Sequence, residues 1–221
     1  MTINLANYKK DEIIKMNLWK CESHHHSGLE HPQCYLREHG KDLKRCFFDI
    51  ETTGLSGNWD YMITYSIKPE DSDEIICGTI TKKEIDDGTF DKRIVQECID
   101  NLMKFDRVYG FYSTKFDIPF LRTRALELGI EFPMYGALTH KDIYYIARYK
   151  LKLHSNRLEV VCDLLGIKGK THQNPATWRL AKGGNKKALE EILEHNKWDC
   201  IILQQVYERL KGFTKEDNRS I

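Results

Sequence analysis

Residues Phe47-Phe48-Asp49-Ile50-Glu51-Thr52-Thr53-Gly54-Leu55 place two carboxylates two positions apart at the end of an apolar segment. In an extended chain alternate side chains share a face, so Asp49 and Glu51 project together, about 7 Å apart. Two anions held at the end of a buried strand repel unless a cation lies between them. A hard divalent ion with oxygen ligands, Mg²⁺ or Mn²⁺, answers that demand. Most acidic pairs are simply solvated, so this one gains meaning only from two further groups downstream. Asp117 lies within Gly110-Phe111-Tyr112-Ser113-Thr114-Lys115-Phe116-Asp117-Ile118-Pro119-Phe120-Leu121. It follows a short apolar run and opens a helical stretch, where capping alone would account for it. His195-Asn196-Lys197-Trp198-Asp199 lies in a long helical pattern that stacks His195 and Asp199 on one face. Taken singly, that is an ordinary surface pair worth about a few tenths of a kcal/mol.

Together the three motifs resemble the DEDD family of 3′–5′ exonucleases, over roughly residues 45–211. They are most similar to the branch of predicted exonucleases that looks like the proofreading domains of family-B DNA polymerases. The resemblance implies a ribonuclease H-like α/β fold, a mixed five-stranded sheet flanked by helices. It also implies that Asp49, Glu51, Asp117 and Asp199 hold two divalent ions, Mg²⁺ or Mn²⁺, around a scissile phosphate. In that scheme Asp49 bridges the ions, Glu51 and Asp199 complete one site, Asp117 holds the second, and His195 orients or deprotonates the attacking water. Residues after the first-motif Glu line the pocket for a 3′ end in the family, which makes Thr52, Thr53 and Leu55 candidate contacts to the terminal nucleotide. A tight turn at Gly54 would account for the same residues. The chain departs from the family in one respect. His195 stands four positions before Asp199, a spacing at which the family carries Tyr; its His members have one more residue between.

A second group of chemistry-bearing residues precedes this region. Cys21-Glu22-Ser23-His24 and His31-Pro32-Gln33-Cys34 form a CxxH…HxxC pattern, the ligand types and spacing of a tetrahedral structural Zn²⁺ site. His25 and His26 compete as the second ligand. So short a segment, without apolar periodicity, has little reason to order without metal; a polar arm with incidental histidines is the alternative.

The elements that must position these groups follow from periodicity. Cys46–Ile50, Tyr61–Ile67 and Glu74–Ile80 read as three strands of an antiparallel meander, with turns at Gly54–Asp60 and Pro69–Asp73. A helix over 91–104 leads into a strand at Val108. Further helices are expected at 117–128, 143–150, 158–165 and 186–210. Asp142 is expected to cap the helix that follows it. An N-terminal element, residues 1–40, would hold a short amphipathic helix and the His/Cys segment. Residues 44–214 would form the exonuclease domain.

Composition sets the bounds. Lys and Arg number 34 against 33 Asp and Glu, for a net charge of +1, so any nucleic-acid surface must come from local clustering. One cluster is Lys168, Lys170, Arg179, Lys182, Lys186 and Lys187, interleaved with His172 and Trp178 and free of acids. Lys186 and Lys187 in it are candidate phosphate contacts. A second, Tyr144 to Arg157, mixes tyrosines with cations; its simpler reading is a solvated surface with the rings turned inward. No run is long enough to span a membrane, and residues 1–15 lack the apolar core of a secretory signal. Seven scattered cysteines form no disulfide framework, which points to a reducing, cytoplasmic setting. No polymerase, helicase or ATP-binding motif is present. The expectation is therefore a metal-dependent 3′–5′ exonuclease acting on nucleic acid, single-stranded 3′ ends of DNA first and RNA as an option. The alternatives are a binding or adaptor module on a nuclease fold, or a proofreading or processing subunit active only with a protein partner.

Overall fold

The computed structural model describes residues 5, 8–21, 24–39, 43–134, 137–169 and 174–214. Five strands, β1 (Arg45–Thr52), β2 (Met62–Pro69), β3 (Ile76–Thr79), β4 (Arg107–Gly110) and β5 (His140–Asp142), form one sheet in the order β3-β2-β1-β4-β5. The meander β1-β2-β3 is antiparallel, as expected, while β4 and β5 run parallel to β1. The register shifts between Glu51 and Thr52. An irregularity of this kind re-aims side chains at a strand end, and here it falls directly after the second acid.

Around the sheet lie α1 (Lys10–Leu18), α2 (Pro32–His39), α3 (Lys82–Asp86), α4 (Lys92–Leu102), α5 (Asp117–Leu128), α6 (Ile143–Lys150), α7 (Leu158–Leu165), α8 (Pro175–Lys182) and α9 (Lys186–Leu210). Alternation along β1 divides the interior. Cys46, Phe48 and Ile50 join a core with Ile94, Cys98, Leu121 and Ala125 from α4 and α5. Phe47 faces the other way, into Ile146, Val161, Leu203 and Tyr207 from α6, α7 and α9. Asp49 and Glu51 share the parity of Phe47, so they point toward α9. That helix is about 37 Å long, and its buried residues Ile192, Asn196, Cys200, Leu203 and Tyr207 recur at helical spacing along the sheet.

Three helices were not expected. Each carries a start signal that short length obscured: Pro32 opens α2, Thr81 caps α3 through the Glu84 amide, and Asn174-Pro175 opens α8. The three-residue strand β5 is too short for any periodicity. Trp178 of the basic cluster packs against the core; Lys170 and His172 of the same cluster lie outside the described residues. Among the described residues no helix is long and apolar enough to cross a membrane.

Candidate active site

The site forms where the C-terminal end of β1 meets the middle of α9. Glu51 and Asp199 converge on one nitrogen: His195 Nε2 lies 3.6 Å from Glu51 Oε1 and 3.6 Å from Asp199 Oδ2. One ligand atom from each of these three residues lies within 4.8 Å of the other two. Asp117 is buried, and Asp49 stands half-buried beside it. Asp117 is the first residue of α5 and does not cap it; its Oδ1 accepts from the Ile50 amide at 3.2 Å, tying the second motif to the first. Asp49 Oδ2 accepts from Asn196 Nδ2 at 2.7 Å, and Asn196 Oδ1 accepts from the buried Thr64 hydroxyl at 3.1 Å. Sequence reading assigned no role to Asn196. It fixes the orientation of Asp49, and only the placement of Thr64 on β2 reveals this.

Electrostatics mark the site as unbalanced. Burial pushes the Asp49 carboxyl well above the ordinary range, and the charges of Asp117, Glu51 and Asp199 push it further, against the Asn196 hydrogen bond. Burial also raises Asp117 to about 7, with Asp142 adding repulsion and the Ile50 and Asp117 amides opposing. Asp199 Oδ1 is buried without a hydrogen-bond partner among the described residues. A buried acceptor left so is costly. Mutually repelling carboxylates, an orphaned carboxylate oxygen and an imidazole at ligand spacing fit a hard divalent cation.

The first-motif loop is built rather than loose. Thr53 is buried; its hydroxyl donates to Asp60 Oδ1 at 3.1 Å and accepts from the Tyr61 amide at 3.0 Å. Thr52 donates to the Gly54 carbonyl at 2.6 Å. A Cβ on Gly54 would collide with the Asp60 carboxylate. Of the three candidate nucleotide contacts, Leu55 is the one presented to solvent, 84% exposed, beside Trp59 at 87%. Trp59 carried no sequence signal. Lys186 and Lys187 are exposed at the first turn of α9, away from the acids. Cations there oppose the helix dipole, and Lys186 lies 3.9 Å from Glu190 one turn on.

In the N-terminal element, Cys21 Sγ lies 3.4 Å from His24 Nδ1, Cys34 Sγ 3.8 Å from the same nitrogen, and Cys34 Sγ 3.5 Å from His31 Nδ1. Metal–ligand lengths of about 2.0–2.3 Å give tetrahedral edges of about 3.3–3.8 Å, so these spacings suit Zn²⁺. The four residues whose ligand atoms lie mutually within 4.8 Å are Cys21, His24, His26 and Cys34. His26 and His31 both stand near this group, His31 Nδ1 at 3.5 Å from Cys34 Sγ. His26 Nδ1 is 3.1 Å from the Ser27 carbonyl, an outer contact of the kind that orients ligating imidazoles.

Comparison with known proteins agrees with this architecture. The family model for the RNase_H superfamily, RNase_H_2, matches residues 46–211. A DNA polymerase of Methanocaldococcus jannaschii is 27% identical, with the match covering 71% of this chain and 11% of that protein. Among solved structures, the family B DNA polymerase of the hyperthermophilic archaeon Pyrobaculum calidifontis superposes with a TM-score of 0.61 at 19% identity. That match covers 76% of this chain and 24% of the polymerase. The chain therefore corresponds to a small part of each relative.

Proposed function

The chain belongs to the RNase H superfamily, and on that premise we propose that it is a metal-dependent 3′–5′ exonuclease acting on single-stranded DNA. The observation that carries this reading is the group of Glu51, His195 and Asp199 gathered beside the repelling pair Asp49 and Asp117. Asp49, Glu51, Asp117 and Asp199 would hold two Mg²⁺ or Mn²⁺ ions. Such ions stabilise the negative charge that builds on attacking and leaving oxygens of a phosphodiester. The protein groups do the rest. Asn196 holds Asp49 in one rotamer. His195 Nε2, set between two carboxylates, orients the attacking water and accepts its proton. Leu55 and Thr52 meet the terminal nucleotide, and Thr53 positions them by fixing the loop. Lys186 and Lys187 offer charge to phosphates on the α9 flank.

The test is a time course on 5′-labelled single-stranded DNA and RNA with Mn²⁺ or Mg²⁺, beside Asp49→Ala. The expected result is a metal-dependent ladder of shortening DNA products that the variant does not make. Tight binding without cleavage of either polymer would sink the nuclease reading in favour of a binding or partner-dependent module.

The N-terminal element is proposed to carry one structural Zn²⁺ on Cys21, His24, Cys34 and a fourth ligand, His26 or His31. Elemental analysis of purified protein should give about one zinc per chain, lost on Cys21→Ser with Cys34→Ser. His26→Ala and His31→Ala tell the fourth ligand apart. Protein without zinc before any substitution would remove the proposal.

A further inference from the structure

A row of tyrosines beside the site takes no part in the chemistry above. Tyr112 follows β4, while Tyr144, Tyr145 and Tyr149 stand on α6. Ring centroids step 4.9 Å from Tyr112 to Tyr144, 5.2 Å to Tyr145 and 5.8 Å to Tyr149, the last pair stacked. Core formation does not explain them, because the buried face of α6 is Ile143, Ile146 and Ala147. Tyr149 is 70% and Tyr112 47% exposed. Expectation from sequence had Tyr144, Tyr145 and Tyr149 turned inward; the structure turns Tyr149 out and leaves the other two half-buried.

Charge accompanies the rings. From Ile143 to Arg157 the chain carries Arg148, Lys150, Lys152 and Arg157 and no acid, and all four cations are exposed. Arg148 donates to the Tyr144 hydroxyl at 2.9 Å and lies 6.0 Å from that ring's centroid. Topology joins this row to the site. The parallel strands β1, β4 and β5 end at one edge of the sheet, with Phe47 level with Tyr109 and Tyr109 level with Lys141. Asp49 is then level with the start of α6, two strand spacings or about 10 Å away. Asp142 accepts from the Tyr112 amide at 2.7 Å and the Thr114 amide at 2.9 Å, so the first ring hangs on the loop that leads to Asp117.

We infer that Tyr112, Tyr144, Tyr145 and Tyr149 form a stacking track for a single strand of DNA whose 3′ end lies at the carboxylate site, with Arg148, Lys150 and Lys152 meeting its phosphates. Two exposed and two half-buried rings interleaved with cations suit a single strand, since every base has a face to stack and every linkage a charge. The inference rests on the nuclease reading for the position of the strand's end. It adds the path the strand follows and predicts a dependence on strand length.

The experiment is fluorescence anisotropy of labelled oligo-dT in EDTA, with the full chain and with Tyr145→Ala/Tyr149→Ala. Binding to strands of about twelve nucleotides should weaken about tenfold or more in the variant, as expected for lost base–aromatic stacking. Binding to strands of about four nucleotides, which end before Tyr149, should change little. Tyr145→Phe/Tyr149→Phe should restore binding, and an unchanged melting temperature shows the fold intact. Equal affinity of wild type and the alanine variant for the long strand would overturn the track. So would weakening seen only in Lys186→Ala/Lys187→Ala, or tyrosine-dependent binding confined to oligo-U. The two readings fail separately. Tyrosine-dependent binding without cleavage in Mn²⁺ keeps the track and removes the nuclease; cleavage indifferent to the tyrosines on long strands does the reverse.

Discussion

Replacing Asp49 by alanine should lower the rate of strand shortening by about a thousandfold or more, while Asp49→Asn raises the melting temperature of the metal-free protein. The loss of rate follows from removing a carboxylate from a set that exists to gather cationic charge; several kcal/mol of charge stabilisation corresponds to about three orders of magnitude. The gain in stability comes from the same charge. Asp49 lies among Asp117, Glu51 and Asp199, which with burial hold its carboxyl well above the usual range. The asparagine keeps the shape and an acceptor for Asn196 Nδ2, so it isolates the charge. A raised carboxyl pKa means that the folded chain binds more protons than the unfolded one between the two values. The contribution of these carboxylates to the stability of the metal-free protein should therefore fall as pH rises from about 4, the unfolded value, toward about 7, the value to which Asp117 is raised. Buried His140, lowered to about 4, adds stability over the same range in wild type and variant alike. For Asp117 the loss is complete above that window. Mn²⁺ should reverse it at neutral pH. Thermal melts of wild type and Asp49→Asn in EDTA across that range make the comparison; each kcal/mol is about 2–4 °C for a chain of this size. A stability advantage of Asp49→Asn over wild type in EDTA that does not grow with rising pH would contradict the electrostatic account. Full cleavage by Asp49→Ala would contradict the chemical one.

Asp49 and Glu51 were legible because strand alternation is a local rule, and His195 with Asp199 because helical spacing is. Asp142 was legible as a cap, and its side chain does accept from the Tyr144 amide at 3.1 Å. Its two further bonds, to Tyr112 and Thr114, join segments about thirty residues apart, and no local rule contains them. Asn196 was opaque for the same reason: its partners Thr64 and Asp49 lie on other elements. The aromatic residues were less legible. Composition cannot tell a ring that covers the core, as Trp178 does, from one left in water, as Tyr149 is. That difference depends on which face of a helix meets the sheet.

The largest loss of stability from a single substitution outside the acids is expected at Asp91. Its side chain is fully buried and accepts from Arg124 Nε at 2.9 Å, from Arg124 Nη2 at 2.6 Å and from the Met62 amide at 2.8 Å. Arg124 Nη1 reaches on to the Gly57 carbonyl at 3.0 Å, so one pair joins the start of α4, α5, β2 and the loop that presents Leu55. Asp91→Ala leaves a buried guanidinium without its main counter-charge and the Met62 amide without an acceptor. Breaking a buried pair from one side costs about 3–5 kcal/mol. The exposed pair of Lys82 and Asp86 should contribute under about 1 kcal/mol by contrast. Much of the cost is the stranded charge rather than lost attraction. Replacing both partners with apolar residues, Asp91→Leu with Arg124→Met, should therefore recover most of the stability lost in the single variant. The recovered protein should still cleave less well, because Gly57 loses its anchor and the loop carrying Leu55 is no longer held against α5. Denaturant melts and the strand-shortening assay on the single and double variants separate the two effects. A single variant within about 1 kcal/mol of wild type would show that the pair contributes no more than a surface bridge. A double variant as unstable as the single one would place the cost in the Met62 amide and the packing, not in the stranded charge.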